Sequence, residues 1–149
     1  MIRIKSCKSN ERGSTLVEFA IGATVFLTAM FAVLEFGRAL WTHNALADAA
    51  RRGARYATTH AQADSTGVKN VVVYGNPAGT GQPLLPNLGT GNVSVAYSAP
   101  YQINKGTVTV KITGYQFKFV IPVVGTTITM PGYTTTLTAE SVGLVPANK

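Results

Sequence analysis

The sequence has few of the residues on which most catalytic and metal sites depend. Its 149 residues include one cysteine, two histidines and six carboxylates. A single cysteine excludes an intramolecular disulfide framework and any zinc site built from several cysteines. The sequence also lacks a Walker-type phosphate loop, a Gly-x-Ser-x-Gly elbow and a His-Glu-x-x-His helix motif. We therefore expect a protein that is not an enzyme, with no catalytic residues, no cofactor and no metal ligands.

Charge is also scarce, and negative charge is the scarcer sign. Charged residues make up 13% of the chain, about half the share that is usual in soluble proteins. Thirteen basic residues against six acidic ones give a net charge of +7. Such an excess suits acidic glycans, phospholipid headgroups or DNA. The cations are scattered, however, so general solvation is the preferred interpretation and nucleic acid is not an expected partner.

The apolar residues are concentrated in one run near the N-terminus, residues 14–34, in which Glu18 is the single charge. A helix of this length spans about 30 Å, the thickness of the hydrocarbon core of a bilayer. Four basic residues and one acid precede the run, a net charge of +3. By the positive-inside rule this flank stays in the cytoplasm and the C-terminal part is exported.

A cleaved secretory signal is the competing interpretation of the same run. Signal peptides usually have an apolar core of about 7–15 residues that ends in a small-x-small cleavage site. The run in this chain is longer, and residues 30–35 (Met-Phe-Ala-Val-Leu-Glu) offer no such site. We therefore expect the run to persist as a single transmembrane helix.

Glu18 is the unusual residue of this run. A carboxylate at the centre of a transmembrane helix costs about 2.5–3.5 kcal/mol on insertion scales. Glu18 lies near the start of the run, so it can reach the membrane interface at a smaller cost. Two interpretations stay open: a tolerated boundary residue, or a carboxylate that pairs with a positive group on a neighbouring chain.

The residues around Glu18 resemble the processing site of type IV pilins, with Gly-Ser-Thr-Leu-Val-Glu-Phe at 13–19. In that class a short basic leader ends in glycine, and a prepilin peptidase cuts after it. The resemblance extends through residues 35–41 (Glu-Phe-Gly-Arg-Ala-Leu-Trp) and 49–57 (Ala-Ala-Arg-Arg-Gly-Ala-Arg-Tyr-Ala). There the chain is similar to TadE-like proteins, the minor pilins or pseudopilins of tight-adherence (Tad/Flp, type IVb) pili.

The resemblance implies a processing site at Gly13 and Ser14. Cleavage there leaves a free α-amino group on Ser14, about one helical turn from Glu18 of the same or an adjacent subunit. In a medium of low dielectric constant, an amine–carboxylate pair is more favourable than either charge alone. Glu18, followed by the aromatic Phe19, is therefore expected to serve subunit assembly by pairing with this N-terminus.

The resemblance also implies function, partners and location. We expect a pilin-like subunit that acts in pilus biogenesis and surface adherence. Its partners would be other pilin and pseudopilin subunits, the prepilin peptidase and the inner-membrane assembly platform. We expect the chain to be a single-pass protein of the bacterial inner membrane. After processing it would be found in an extracellular pilus. Two alternatives stay open: a permanently anchored assembly factor of the pilus or secretion machine, and an anchored periplasmic binding domain for acidic ligands.

Small residues recur at every fourth position of the apolar run. Such rows let helices approach closely, which favours helix–helix packing over a lone anchor whose small residues face lipid. The row consists of Ala20, Thr24, Thr28 and Ala32.

The helix is expected to continue beyond the membrane to about Ala61, because no proline occurs before Pro77. An apolar stripe predicts its packing face: Phe36, Leu40, His43, Ala47, Ala50, Ala54 and Ala57. Asp48 and three arginines form another face, where Asp48 and Arg52 are the expected ion pair. His43 is expected to be packed or interfacial, and His60 solvated.

After residue 67 the apolar pattern changes from helical spacing to alternation. The short apolar run 71–74 is followed by a Gly/Pro-rich loop, 75–92, which is expected to be exposed. Residues 93–99 and 106–113 predict a hairpin, and 115–121, 126–130 and 133–138 predict further strands. We expect three to five antiparallel strands packed on the polar half of the helix.

The sequence therefore predicts an α+β fold, in which a long N-terminal transmembrane, pilin-like helix precedes a small antiparallel β-sheet domain. The chain divides into a basic leader (1–13), a transmembrane half of the helix (14–34), an exported amphipathic half (35–63) and an exported β-rich domain (64–149).

Overall fold

A computed structural model describes residues 11–120 and 127–141. Two helices precede five strands in this part of the chain, which confirms the predicted α+β fold. The elements are α1 (Glu11–Thr59), α2 (Ser65–Tyr74), β1 (Val93–Tyr97), β2 (Thr107–Ile112), β3 (Gln116–Lys118), β4 (Thr127–Thr129) and β5 (Tyr133–Thr138). Most of the predicted leader, and the predicted strand residues Ile121 and Thr126, lie outside the described residues.

The chain forms two compact units, Met1–Gly37 and Arg38–Lys149. The described part of the first unit is helical throughout, as expected for a segment without proline. Helix α1 contains a stretch of mean hydropathy 2.0, none of it buried, and is long and apolar enough to cross a membrane. It is the one such helix among the described residues.

In the second unit α1 packs through its small residues. Leu46, Ala49, Ala50, Ala54 and Ala57 are buried in one cluster with residues of α2 and the strands. A side chain at Gly53 would place its Cβ 2.3 Å from Cγ2 of Val72 in α2, so the two helix backbones approach closely.

The predicted packing stripe is correct at its C-terminal end and wrong at its N-terminal end. Ala50, Ala54 and Ala57 are buried, whereas Leu40 and His43 are exposed. Nearer the start of the unit, Thr42 and Leu46 are the buried residues instead. A row at three- and four-residue intervals drifts around a helix of 3.6 residues per turn, so it does not follow one packing face over its whole length.

Helix α2 corrects the prediction that alternation begins after residue 67. The valine run belongs to a helix, because the chain provides start and stop signals at both ends. The Asp64 carboxylate accepts a hydrogen bond from the Gly67 N–H at 3.2 Å. At the other end Gly75 adopts φ +78°, and its N–H donates to the Val71 carbonyl. Burial of Val68, Val71, Val72 and Val73 outweighs the β preference of valine.

The loop that follows α2 is less exposed than expected. Leu85 and Leu88 expose only 1% and 2% of their surface and belong to the core. The Leu84 N–H also donates to the Val73 carbonyl at 2.8 Å, which holds the loop against the end of α2. Burial of these two leucine side chains therefore stabilises the loop, which has no regular secondary structure for most of its length.

The strands form two separate antiparallel sheets. The first has the order β1-β2-β5, and its β1–β2 pair confirms the predicted hairpin. Its core-facing side chains come from alternate positions, such as Val108 and Val110 of β2. The second sheet is the hairpin of β3 and β4, in which Phe117 lies opposite Ile128. The chain leaves the first sheet at Gly114, where the apolar phase changes.

Polar contacts on α1 also differ from expectation. Asp48 pairs with Arg51 at 3.3 Å, rather than with Arg52, and both partners are exposed, so the pair contributes little to stability. His60 is partly buried and stacks on Tyr56 with ring centroids 3.7 Å apart, so it is less solvated than predicted. His43 is exposed rather than packed in the core, but its Nδ1 lies 2.8 Å from the Tyr133 hydroxyl.

Tyr56 makes the stability of the second unit sensitive to alkaline pH. Its hydroxyl donates to the Asp64 carboxylate at 2.8 Å. Burial, this hydrogen bond and the negative charge raise the pKa of Tyr56 from 10 to about 12. Because the folded chain holds this proton more tightly than the unfolded chain, the stabilisation is complete below pH 10 and is lost as the pH rises towards 12.

We expect a phenolate absorbance titration to show a late step for Tyr56 near pH 12. The difference between the titrations of the parent chain and Tyr56→Phe isolates this step, because burial raises the pKa of other tyrosines in the unit as well. A difference curve with its midpoint at or below pH 10 would contradict the effect of Asp64.

Candidate functional site

The predicted processing and assembly residues all lie in the part of helix α1 that belongs to the first unit. Gly13, Ser14, Glu18 and Phe19 are helical and exposed. Residues four apart lie on the same side of an α-helix, about one turn from each other. Ser14 and Glu18 therefore share a face, which is the arrangement that the amine–carboxylate prediction requires. Whether cleavage occurs and whether the pair forms stay predictions.

The small-residue row forms an exposed strip with satisfied hydroxyl groups. Ala20, Thr24, Thr28 and Ala32 are all exposed in this chain. The Thr24 hydroxyl donates to the Ala20 carbonyl, and the Thr28 hydroxyl to the Thr24 carbonyl, each at 2.8 Å. Because these donors already have acceptors within the helix, the strip can face an apolar surrounding without a stranded polar group.

Large apolar side chains surround this strip. Most are between two-fifths and three-quarters exposed, far more than a soluble protein leaves to water in one contiguous region. They include Leu16, Phe19, Ile21, Val25, Phe26, Leu27, Met30, Phe31, Val33 and Leu34. Such a surface needs lipid or other helices around it.

Nothing in the described part of the chain resembles a metal centre, since residues 11–120 and 127–141 hold no group of three or more histidine, cysteine or acidic residues that could bind an ion. Two open clefts lie in the second unit. One, of about 390 Å³, is lined by polar residues of the β3–β4 region such as Gln116 and Lys118. The other, of about 400 Å³, lies between α1 and the loop, where Trp41 and Leu84 line it.

Arg38 makes a contact that the sequence analysis did not find. Its guanidinium donates a hydrogen bond to the Lys118 carbonyl and lies over the Phe117 ring, 4.1 Å from the centroid. Cation–π contacts of this kind stabilise by about 0.5–2 kcal/mol. Arg38 thus holds the β3–β4 hairpin against the first residues of α1 in the second unit.

Comparison with known proteins supports the resemblance. The family model described as "TadE-like protein" matches residues 13–55, which confirms the predicted similarity over that segment. The match begins at Gly13 and includes residues 35–41 and 49–55 of the two helical segments that first indicated it. Searches of curated proteins and of solved structures each found no match.

Over these residues the chain is similar to TadE-like proteins, and the match does not extend to the rest of the second unit. Helix α1, the one helix among the described residues that is long and apolar enough to cross a membrane, fits a single-pass membrane protein.

Proposed function

We propose that this chain is a pilin-like subunit of a Tad-type pilus, synthesised as a membrane-anchored precursor and processed after Gly13. It would act in pilus biogenesis and surface adherence. The observation that carries the proposal is the family match, which begins at Gly13, on a helix whose apolar surface is exposed.

Processing supplies a charge that the precursor lacks. Hydrolysis of the Gly13–Ser14 peptide bond leaves a carboxylate on the leader and an amine on Ser14. An α-amino group has a pKa of about 7.7–8.0 in water, so the new terminus is mostly an ammonium at neutral pH. The precursor has an uncharged amide at the same place, and Glu18 then has no cation at that position to meet.

Glu18 and the ammonium together set the register between subunits. The two groups are offset by about 6 Å along one helix, the rise of four residues. An incoming subunit that places its ammonium beside the Glu18 of its neighbour neutralises both charges in a low-dielectric surrounding. Any other axial position leaves one charge unpaired, which is unfavourable by several kcal/mol.

The rest of the helix anchors the subunit and packs it. Residues 14–34 would span the inner membrane with the N-terminus in the cytoplasm, and the row of small residues would contact neighbouring helices in the membrane and later in the filament. Partners are other pilin and pseudopilin subunits, the prepilin peptidase and the assembly platform.

The test is the N-terminus of the protein purified from piliated cells, determined by mass spectrometry. The proposal expects a chain that starts at Ser14, with or without N-methylation. Gly13→Leu is expected to leave the leader attached in nearly all molecules, because a bulky side chain does not fit where the peptidase accepts glycine. Gly22→Leu is the matched control, since no atom lies within 4 Å of a side chain at that position.

A Met1 terminus in cells with functional pili would contradict processing. The fraction found in sheared pili separates the two roles that the family allows. A processed chain in the sheared material supports a filament subunit, whereas a chain confined to the inner membrane indicates a permanently anchored assembly factor.

A further inference from the structure

The cleft between α1 and the loop after α2 lies within the second unit and joins an aromatic surface to several polar side chains. Its helix wall carries Trp41, Asn44, Asp48 and Arg52. Intervals of three and four residues place these side chains on one face of α1, over about 16 Å. Leu84 lines the cleft from the loop. The volume of about 400 Å³ is within the usual range of sites for small molecules.

The aromatic surface is exposed to an unusual degree. Trp41, the one tryptophan of the chain, exposes 61% of its surface, and Leu84 in the same cleft exposes 43%. Tryptophan is highly buried on average in folded proteins, because exposure of its large apolar surface to water is unfavourable. An exposed indole in a cleft therefore indicates a ligand that covers it with an apolar face.

The polar part of the cleft favours an anion. Asp48 is the one acid among the described lining residues, and it pairs with Arg51 at 3.3 Å rather than with Arg52. Three arginines (51, 52 and 55) against this one acid leave a net charge of +2 on this stretch of α1. The Arg52 guanidinium presents parallel N–H donors that match the two oxygens of a carboxylate. The cations are scattered along the sequence, but the fold places this one beside an exposed indole.

The walls of the cleft distinguish a saccharide from a peptide. Backbone groups in this part of α1 are hydrogen-bonded within the helix, and the Leu84 N–H donates to the Val73 carbonyl at 2.8 Å. The described walls therefore offer no strand edge with which an extended peptide could pair. Polar groups of a ligand must be met by side chains, and Asn44 and Asp48 supply the donors and acceptors that sugar hydroxyls need. A sugar ring also has a face of C–H groups, which packs flat on an indole.

We propose that this cleft binds an acidic saccharide, whose sugar ring packs on Trp41 and whose carboxylate is held by Arg52. Asn44 and Asp48 bind its hydroxyl groups. The inference gives the surface adherence of the proposed function a chemical class of target and in that sense rests on it, but the cleft needs neither processing nor pilus assembly.

The experiment uses the full-length chain in micelles of a zwitterionic detergent without a sugar headgroup, and the probe is trigalacturonic acid. Its methyl ester is the control ligand, because it keeps the sugar rings and loses the negative charges. Trp41 fluorescence reports the cleft directly, since the chain has no second tryptophan. We expect the acid to shift the emission and to protect Trp41 from iodide. The ester is expected to bind at least about tenfold more weakly, because it forms no hydrogen bond between charged groups.

Two variants separate the cleft from general attraction between a basic chain and an anion. Arg52→Gln removes the guanidinium from the cleft, whereas Lys111→Gln removes one positive charge from the exposed side of β2. Both residues are exposed, so the fold is expected to be kept. We expect Arg52→Gln to weaken binding of the acid at least about tenfold and Lys111→Gln by less than about twofold.

Equal losses in the two variants, equal binding of the ester, or no binding of the acid would overturn the inference. A peptide of apolar and acidic residues that binds more tightly than the saccharide would also overturn it, since the occupant would then be a polypeptide. So would strong quenching of Trp41 by nitroxide-bearing lipids in phosphatidylcholine liposomes, because the indole would then be covered by lipid.

The outcome is separate from the test of the proposed function. A chain that starts at Ser14 but binds no saccharide leaves processing and pilus assembly standing and refutes only the cleft. A chain that keeps Met1 in piliated cells and binds the saccharide refutes processing and leaves the cleft standing.

Discussion

Glu18→Gln is expected to leave cleavage after Gly13 intact and to reduce incorporation of the subunit into pili by roughly 100- to 4,000-fold. Glutamine has nearly the shape of glutamate but no charge, so the Ser14 ammonium of a neighbouring subunit loses its counter-ion. Removing one partner of a buried ion pair costs about 3–5 kcal/mol, and each 1.4 kcal/mol is a factor of ten in an equilibrium. The measurement is the ratio of the subunit in sheared pili to that in the membrane fraction.

Glu140→Gln is the matched control for this change. Glu140 is an exposed acid of the second unit, so the same loss of charge there is expected to leave the ratio unchanged. The N-terminus of the Glu18→Gln protein is determined in the same samples, because a failure of processing would also reduce incorporation. Normal pilus yield and architecture with Glu18→Gln would mean that the carboxylate does not guide assembly.

Gly53→Ala is expected to lower the free energy of unfolding of the second unit by about 1–3 kcal/mol, the usual cost of overpacking a core. The new methyl group would lie 2.3 Å from Val72 Cγ2 and 3.5 Å from Val110 Cγ1. Valine is branched at Cβ and has little freedom to turn away, so α1 and α2 must separate. Urea unfolding in mild detergent, followed by the near-ultraviolet circular dichroism of the tyrosines, measures the loss.

Gly37→Ala separates this packing effect from helix propensity. Both glycines are in α1, but no atom lies within 4 Å of a side chain at position 37. Alanine is a better helix former than glycine by about 1 kcal/mol, so Gly37→Ala should be neutral or slightly stabilising. If Gly53→Ala proved as stable as Gly37→Ala, the close approach of α1 and α2 would be wrong.

The sequence predicted the elements whose signals are local. A long stretch without proline predicted α1, and alternation of Val108, Val110 and Ile112 predicted β2. Helix α2 was missed because its valines favour strands, while the signals that decide the matter are single residues, Asp64 and Gly75, whose roles depend on backbone geometry. The burial of Leu85 was missed because a loop has no periodicity from which to infer a core position.

The same distinction applies to the candidate sites. Ser14 and Glu18 lie four residues apart in a helix, so their spacing alone places them on a common side. The contact between Arg38 and Lys118 joins residues 80 positions apart. No pattern within either segment indicates it, because the fold alone brings them together.

The threonine hydroxyls of α1 have a consequence for the proposed transfer of the chain from the bilayer to a pilus. Thr24 and Thr28 donate to carbonyl oxygens one turn earlier in their own backbone. Extraction from lipid therefore neither breaks these bonds nor requires a new acceptor at the destination. In the proposed function, the exchange of fatty acyl chains for protein neighbours therefore costs no threonine hydrogen bond, and along this stretch of the helix it depends on how well the neighbouring surfaces fit.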